Sequence, residues 1–242
     1  MSDFRDEFYA DYLDFKSDWQ GTPSPGFAAY FAKTKPLADL QKGSRVLEIG
    51  FGDGQLLRWC RAQGHVITGV EIVPALVARA RDMGIDCLPG PVTAATLGDR
   101  MFEAIVAFDV LEHMTFEEIA AFFDHSKASL APAGFYLLRF PNGASPFGYA
   151  YQASDITHKS VLSLGIMKQL AQRAGLEIVG TLQPRPYPPS ITGKIQRLLG
   201  YALQDMIGWM LTRAYFGGKA HIEPNLLVVL RKPGRSAVDA QA

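Results

Sequence analysis

Residues 46 to 57 read "VLEIGFGDGQLL": an apolar run closed by Glu48, then Gly50, Gly52 and Gly54 at alternate positions with Asp53 among them, then apolar residues at helical spacing. Glycines between a strand and a helix let the chain turn tightly and bring backbone N–H groups against a ligand at the helix N-terminus. The spacing is G-x-G-x-G, whereas a loop that docks the pyrophosphate of a dinucleotide has G-x-G-x-x-G. Two carboxylates, Glu48 and Asp53, would repel a dianion in a partly desolvated site. A cationic ligand would be attracted to them.

Glu71 adds to this set. It closes the next strand, about twenty residues after the glycine turn, where a carboxylate can accept both ribose hydroxyls of an adenosine. A third stretch, "AFDVLEHM" (107–114), follows a later strand and carries Asp109, Val110 and Leu111. In a parallel sheet such segments share one crevice outside the carboxyl ends of the strands. An adenosine that also bears an ammonium and a sulfonium satisfies all three segments, and S-adenosylmethionine is that molecule. The expected cofactor contacts are Glu48, Gly50, Phe51, Gly52, Asp53, Gly54, Glu71, Ile72, Asp109, Val110 and Leu111.

The elements that must position these residues are legible along the chain. Short apolar runs at 45–50, 65–71, 102–108, 134–140, 176–182 and 225–232 read as strands, with "DCLPG" as a weak further one between the second and third. Helical patterns fall between them: "GQLLRWCRAQ", "PALVARARDMG" opening on Pro and closing on Gly, 116–130 and 161–175. This alternation predicts an α/β fold, a Rossmann-like sheet of seven mostly parallel strands with helices on both faces. Residues 183–224 are too long for a plain connection, and 194–216 are apolar at helical spacing, with Lys194, Arg197 and Arg213 at the edges. They predict a helical insertion before the last strand. The expected organisation is a helical cap over 1–42, a cofactor-binding domain over 43–232 and a frayed tail over 233–242.

Composition excludes several classes. Lys+Arg and Asp+Glu number 24 each, so no global positive field recommends DNA or RNA as a partner. Cys60 and Cys87 are the only cysteines, which suits a reducing compartment and excludes a disulfide framework or a cysteine-based metal site. The N-terminal "MSDFRDEFYADYLDFKSDW" lacks the basic start and apolar core of a signal peptide. No window approaches the roughly 18 unbroken apolar residues of a spanning helix. A cytoplasmic protein is expected, with peripheral contact at the inner face of the membrane as one option.

Taken together, "EIGFGDG", Glu71 and "FDVLEH" resemble the motifs of class I S-adenosylmethionine-dependent methyltransferases over residues 45 to 232. The resemblance implies a seven-stranded sheet whose last strand is inserted antiparallel, transfer of a methyl group from a sulfonium, and adenine-side contacts from "GIDCLPG" through Asp86 or Cys87. The run "FPNGASPFG…DITH" is similar to a bacterial subgroup associated with surface-polysaccharide or lipid-linked glycan biosynthesis. That implies methylation of a sugar hydroxyl, with the loop 140–158 contacting it and 194–216 serving as a lid or as a docking face for a lipid carrier.

An alcohol nucleophile must lose its proton, and a positioned base is worth about 10²–10⁴-fold. His158 is the expected base, with Asp155 to orient it; the competing expectation is that Asp155 and Thr157 cap the next helix. The string D-x-x-E-H at Asp109, Glu112 and His113 resembles a metal-binding variant in ubiquinone-pathway O-methyltransferases, but no metal is expected here. A quinone or phenolic O-methyltransferase, or a non-catalytic cofactor-binding partner protein, are the alternative functions. The aromatics Phe8, Tyr9, Tyr12 and Trp19 are expected either to close over the cofactor or to pack an extra helix, and 194–216 either to touch a membrane or to be a core helix or one that forms a homodimer.

Overall fold

The computed structural model describes residues 23–186, 188, 190–217 and 220–233. The expectations for Phe8, Tyr9, Tyr12 and Trp19, and most of that for the tail, lie outside these residues. Two helices lead in: α1 (Pro25–Lys33), whose first turn is capped by the Ser24 hydroxyl, and α2 (Lys35–Ala38). Then strand and helix alternate: β1 (Arg45–Ile49), α3 (Gln55–Ala62), β2 (Val66–Glu71), α4 (Pro74–Asp82), β3 (Asp86–Pro89), the short α5 (Ala94–Leu97) and β4 (Phe102–Phe108). The second half carries α6 (Phe116–Ser126), β5 (Leu130–Pro141), the single turn α7 (Tyr149–Gln152), α8 (Leu164–Arg173), β6 (Glu177–Leu182), α9 (Ile191–Leu211) and β7 (Asn225–Arg231).

The seven strands form one sheet in the order β3-β2-β1-β4-β5-β7-β6. All pairs are parallel except those of β7, which runs antiparallel between β5 and β6. Buried parallel strands carry apolar residues toward both faces. Accordingly Leu47, Ile105, Tyr136 and Leu138 join a core with Ile119, Phe122 and Phe123 of α6 and Met167 of α8. Their neighbours Val46, Val106, Leu137 and Val229 pack on the other face against Phe31 of α1, Leu57 and Trp59 of α3 and Leu76 of α4.

Boundaries differ from the expectation where local chemistry wins. The helix expected over 116–130 opens on a capping box, with the Thr115 hydroxyl accepting from the Glu118 N–H and the Glu118 carboxylate accepting from the Thr115 N–H. It gives way to a tighter turn at Lys127–Ser129, and β5 starts at Leu130, earlier than the run 134–140 suggests. α8 starts at Leu164 because Ser163 caps it, the hydroxyl accepting from Ile166 N–H. α9 likewise begins at Ile191 behind a Ser190 cap, and residues 212–216 widen into π-helical turns.

Candidate active site

The glycine turn joins β1 to α3. Gly50, Gly52 and Gly54 have φ of +63°, +49° and +67°, a region that costs a side-chain-bearing residue about 1 kcal/mol or more. Gly54 is the N-cap of α3 and leaves its first turn without a side-chain cap, so donors stay at the loop. A Cβ on Gly50 would sit 2.6 Å from Val110 Cγ2, so the glycine is also what lets the "DVLEH" segment close against the loop. The Phe51 ring is buried beneath Gly69, where a Cβ would come 2.6 Å from it. Only the Phe51 backbone belongs to the loop surface.

Glu48 is buried, and its Oε2 accepts no hydrogen bond. Burial pushes its carboxyl well above the usual carboxylate range, and the nearby Asp53 and Glu71 push it the same way. Such a cluster of acids is stabilised by a cation. Glu71 is held ready by backbone donors: its Oε1 accepts from the N–H of Ile72 at 2.8 Å and of Val73 at 3.2 Å, and its Oε2 from Gly52 N–H at 3.1 Å. Each oxygen keeps acceptor capacity for a hydroxyl. Ile72 is exposed beside it and packs over Gly90. Of the two adenine-side candidates, Cys87 is buried against Gly69, and burial raises its thiol to about 11. Asp86 accepts from the Thr68 hydroxyl at 3.2 Å.

Beyond β4 the chain turns at Asp109, which adopts φ 56°, the single positive φ among the described non-glycine residues. Its carboxylate meets the Arg139 guanidinium in a two-pronged pair, Oδ1 accepting from Nε at 2.9 Å and Oδ2 from Nη2. The Asp109 N–H also donates to the Arg139 carbonyl at 2.9 Å. Arg139 lies over the rings of Phe108 and Tyr30, 4.9 and 5.4 Å from the centroids. Burial opposes its charge, yet Asp109 and Tyr30 keep its pKa above the ordinary guanidinium value. Asp109, read from the sequence as a group for the cationic end of the cofactor, thus gives its carboxylate to Arg139. Val110 and Leu111 pack beside it, Leu111 fully buried.

A third cluster comes from the same segment and the loop after β5. The His113 and His158 rings meet edge to face, with centroids 4.7 Å apart. Asp155 Oδ1 accepts from Thr157 N–H at 2.8 Å and from the Thr157 hydroxyl at 2.6 Å, and that hydroxyl lies 2.8 Å from His113 Nδ1. Because the Thr157 proton is given to Asp155, His113 Nδ1 is the donor to Thr157, and Nε2 carries the lone pair. His158 Nδ1 lies 2.9 Å from the Gln152 carbonyl, which accepts only, so His158 Nε2 also bears a lone pair. Asp155 therefore orients His113 through Thr157 and forms no hydrogen bond of this kind with His158. It caps a turn, since the next helix has Ser163 as its cap.

Glu112 completes the cluster at 1% exposure, with Oε2 unpartnered; burial, and the Asp109 charge after it, raise its carboxyl to about 8. Burial together with neighbouring His158 lowers His113 to about 4, so it is neutral at pH 7. The carboxyl and the two imidazoles bring one ligand atom each within 4.8 Å of one another, a donor set that suits a divalent transition metal. Without one, the site offers two imidazole bases to a hydroxyl.

Next to Arg139 lies a cavity of about 690 Å³ under α9, lined by Tyr30, Arg139, Phe147, Arg185, Tyr201, Gln204, Asp205, Glu223 and Asn225 among others. Neither the glycine turn nor His158 lines it. Arg139 is the link, since it pairs with Asp109 and also lines the cavity. Sequence reasoning assigned Thr157 only a capping role, reached Phe147 and Tyr201 only through the loop 140–158 and the stretch 194–216, and did not single out Arg139, Glu223 or Asn225. A lone cation near the end of the apolar strand "FYLLRFP" was the one available signal.

The family described as "Methyltransferase domain" matches residues 21–181, which are two thirds of the chain. The chain belongs to this family, and its fold and acid-lined glycine turn are those of a class I S-adenosylmethionine-dependent methyltransferase. It is 28% identical over 116 residues to a ubiquinone biosynthesis O-methyltransferase of Paramagnetospirillum magneticum, covering 46% of each chain. It is also 28% identical over 148 residues to a "Probable S-adenosylmethionine-dependent methyltransferase" of Mycolicibacterium smegmatis, covering 60% of this chain and 57% of that protein. The chain thus spans about half the length of these curated relatives.

Two solved structures share the fold. A TehB-like SAM-dependent methyltransferase of Corynebacterium glutamicum superposes with a TM-score of 0.58 at 15% identity, covering 95% of this chain and 98% of that one. The 1,6-didemethyltoxoflavin-N1-methyltransferase of Burkholderia thailandensis, solved with S-adenosylhomocysteine, gives 0.58 at 17% identity over 95% and 87%.

Proposed function

We propose that the chain is an S-adenosylmethionine-dependent O-methyltransferase acting on a hydroxyl of a sugar or glycan intermediate. The observation that carries the acceptor class is the cavity beside Arg139. Aromatic faces (Tyr30, Phe147, Tyr201) alternate there with side chains that exchange hydrogen bonds (Gln183, Gln204, Asn225, Glu223). Glu223 Oε2 is buried there and accepts no hydrogen bond, with His221 Nδ1 3.7 Å away. Sugars present apolar ring faces and rims of hydroxyl donors, and this lining answers both.

Glu48, Glu71 and the turn Gly50–Gly54 hold the cofactor, which supplies an electrophilic methyl group on a positive sulfur. The protein's task is then alignment and proton removal. Holding two reactants in line is worth about 7–11 kcal/mol at its best. His158 does not line the cavity, so it serves as base for a hydroxyl on a part of the acceptor that extends past Arg139 and the Asp109 turn, with His113, kept in its Nε2-lone-pair form by Thr157 and Asp155, packed against it. Arg139 fixes the Asp109 turn between cofactor and acceptor.

A quinone or phenol acceptor is the second reading, favoured by the likeness to the ubiquinone-pathway relative and by the apolar part of the cavity wall, Leu182, Pro184, Ile207 and Ile222. The test is release of S-adenosylhomocysteine with a panel of nucleotide sugars, lipid-linked glycans and catechols. Turnover on a sugar that falls at least about tenfold in Glu223→Gln supports the first reading. Turnover on catechols alone overturns it.

A further inference from the structure

We propose that Glu112, His113 and His158 form a binding site for a divalent transition-metal ion of the zinc type, with the Glu112 carboxylate and one nitrogen from each imidazole as its ligands. The three residues offer one ligand atom each within 4.8 Å of one another, close enough for a single ion to be shared among them. The set is not the one that the string D-x-x-E-H suggests. Asp109, the first residue of that string, gives its carboxylate to Arg139, and His158, from the loop after β5, takes the third place.

Backbone contacts hold the two halves of the set together. The Glu112 carbonyl accepts from Lys159 N–H at 2.7 Å and from Ser160 N–H at 3.1 Å, and the Ser160 hydroxyl donates to the Met114 carbonyl at 2.6 Å. His158 is thereby brought to His113, ring against ring. Each imidazole is also oriented from behind. His113 Nδ1 donates to Thr157, whose own proton goes to Asp155, and His158 Nδ1 donates to the Gln152 carbonyl. A ring held at one nitrogen by a carboxylate relay or a main-chain carbonyl presents the lone pair of the other, and metal-ligating histidines almost always have such a partner.

Glu112 supplies the demand for a cation. It is 1% exposed, and its Oε2 accepts no hydrogen bond. A buried carboxylate oxygen without a donor is costly, and an ion shared with two imidazoles is the missing partner. A second buried oxygen without a donor, Gln152 Oε1, belongs to the residue whose carbonyl holds His158. Ligand chemistry selects the ion. Two neutral nitrogens and one carboxylate suit zinc or cobalt(II), whereas magnesium and calcium take shells of oxygen. Three protein ligands leave a position open on a tetrahedral ion. Binding of the ion does not depend on what is methylated. It does compete with the base role proposed for His158, because one lone pair cannot hold an ion and accept a proton at once.

The test is titration of the whole protein, without an added histidine tag and cleared of metal by a chelator, with cobalt(II), followed by calorimetry and by the visible absorption of the bound ion, with zinc as competitor. The expected result is one ion per chain, with the absorption of a four-coordinate nitrogen and oxygen site that zinc abolishes. Glu112→Gln and His158→Gln should weaken cobalt more than about 100-fold, and Thr157→Val, which removes no ligand, by about 10–100-fold. Binding of S-adenosylhomocysteine by each variant checks its fold. Absence of cobalt binding in the wild type overturns the inference, since a proton then answers Glu112 in place of an ion. Cobalt affinity unchanged in folded Glu112→Gln and His158→Gln overturns it as well. Turnover with and without cobalt reads the base role separately: a fall as the site fills agrees with His158 as base, and a rise removes that role while the metal site stands.

Discussion

Asp109 stands in left-handed backbone and is held there by Arg139, through its carboxylate on one side and its N–H on the Arg139 carbonyl on the other. A backbone conformation that costs an L-residue about 1–2 kcal/mol is retained because an ion pair and a main-chain hydrogen bond hold it between the cofactor turn and the cavity. Asp109→Ala should therefore be less stable than Asp109→Gly by about 1 kcal/mol, since both lose the pair and only glycine is free of the strain. Urea denaturation of the two variants measures the difference; equal stabilities would show that the strain is not there.

Gly50 and Val110 give a second relationship open to measurement. Gly50→Ala places a methyl group 2.6 Å from Val110 Cγ2 at a φ of +63°, so it should cost about 2–4 kcal/mol and reduce cofactor affinity. Val110→Ala in the same chain should recover the steric part and leave the conformational part. Calorimetric titration with S-adenosylhomocysteine of the single and double variants separates the two.

With Glu48 at the cationic end of the cofactor, as proposed, binding should depend on pH. In the free protein its carboxyl is raised by burial and by Asp53 and Glu71, so it keeps a proton above the pH at which an exposed glutamate ionises. A cationic ligand favours the carboxylate, so binding should release a proton and affinity should rise with pH through the raised pKa. Titrations in two buffers of different ionisation enthalpy report the proton count, and Glu48→Gln should bind more weakly with the release abolished.

His113 sets the acid side of the stability curve. Its pKa is about 4 folded, against about 6.5 in the unfolded chain. Between those values the unfolded state binds the proton and the folded state does not, so this stability is fully present above pH 6.5 and is lost as pH falls toward 4. The shift corresponds to about 3 kcal/mol. Thermal melts of His113→Gln should show a flatter dependence over that window than the wild type; parallel curves would place the acid sensitivity elsewhere.

On the role proposed for His158, His158→Gln should lower kcat by about 10²–10⁴-fold and leave S-adenosylhomocysteine affinity intact, because a base that serves the acceptor does not touch the adenosine. Full turnover in this variant would assign the proton transfer to another group. Thr157→Val should act more mildly and through His113, whose tautomer it frees, shifting the pH profile of kcat more than its maximum.

What could be read in the chain before folding was whatever local chemistry decides. Strand and helix alternation, the Pro and Gly at the ends of α4, and the turn "EIGFGDG" depend on neighbours within a few residues, so the sheet, the helix before β7 and the glycine turn with its acids were all visible. The ends of α6 and β5 were less so, because a capping box and a tight turn compete with apolar periodicity over the same stretch.

Contacts between residues far apart in sequence were decided by tertiary structure. Arg139 reaches Asp109 across 30 positions, and Thr157 reaches His113 across 44. The pairing of Asp155 with Thr157, in place of His158, depends on a loop conformation that no spacing rule encodes. α9 shows the division most clearly. Its sequence determines that it is helical and apolar, but periodicity is blind to direction. Only the packing of Tyr201, Asp205 and Gly208 onto the domain settles that the polar side faces the cavity and the leucine stripe faces out.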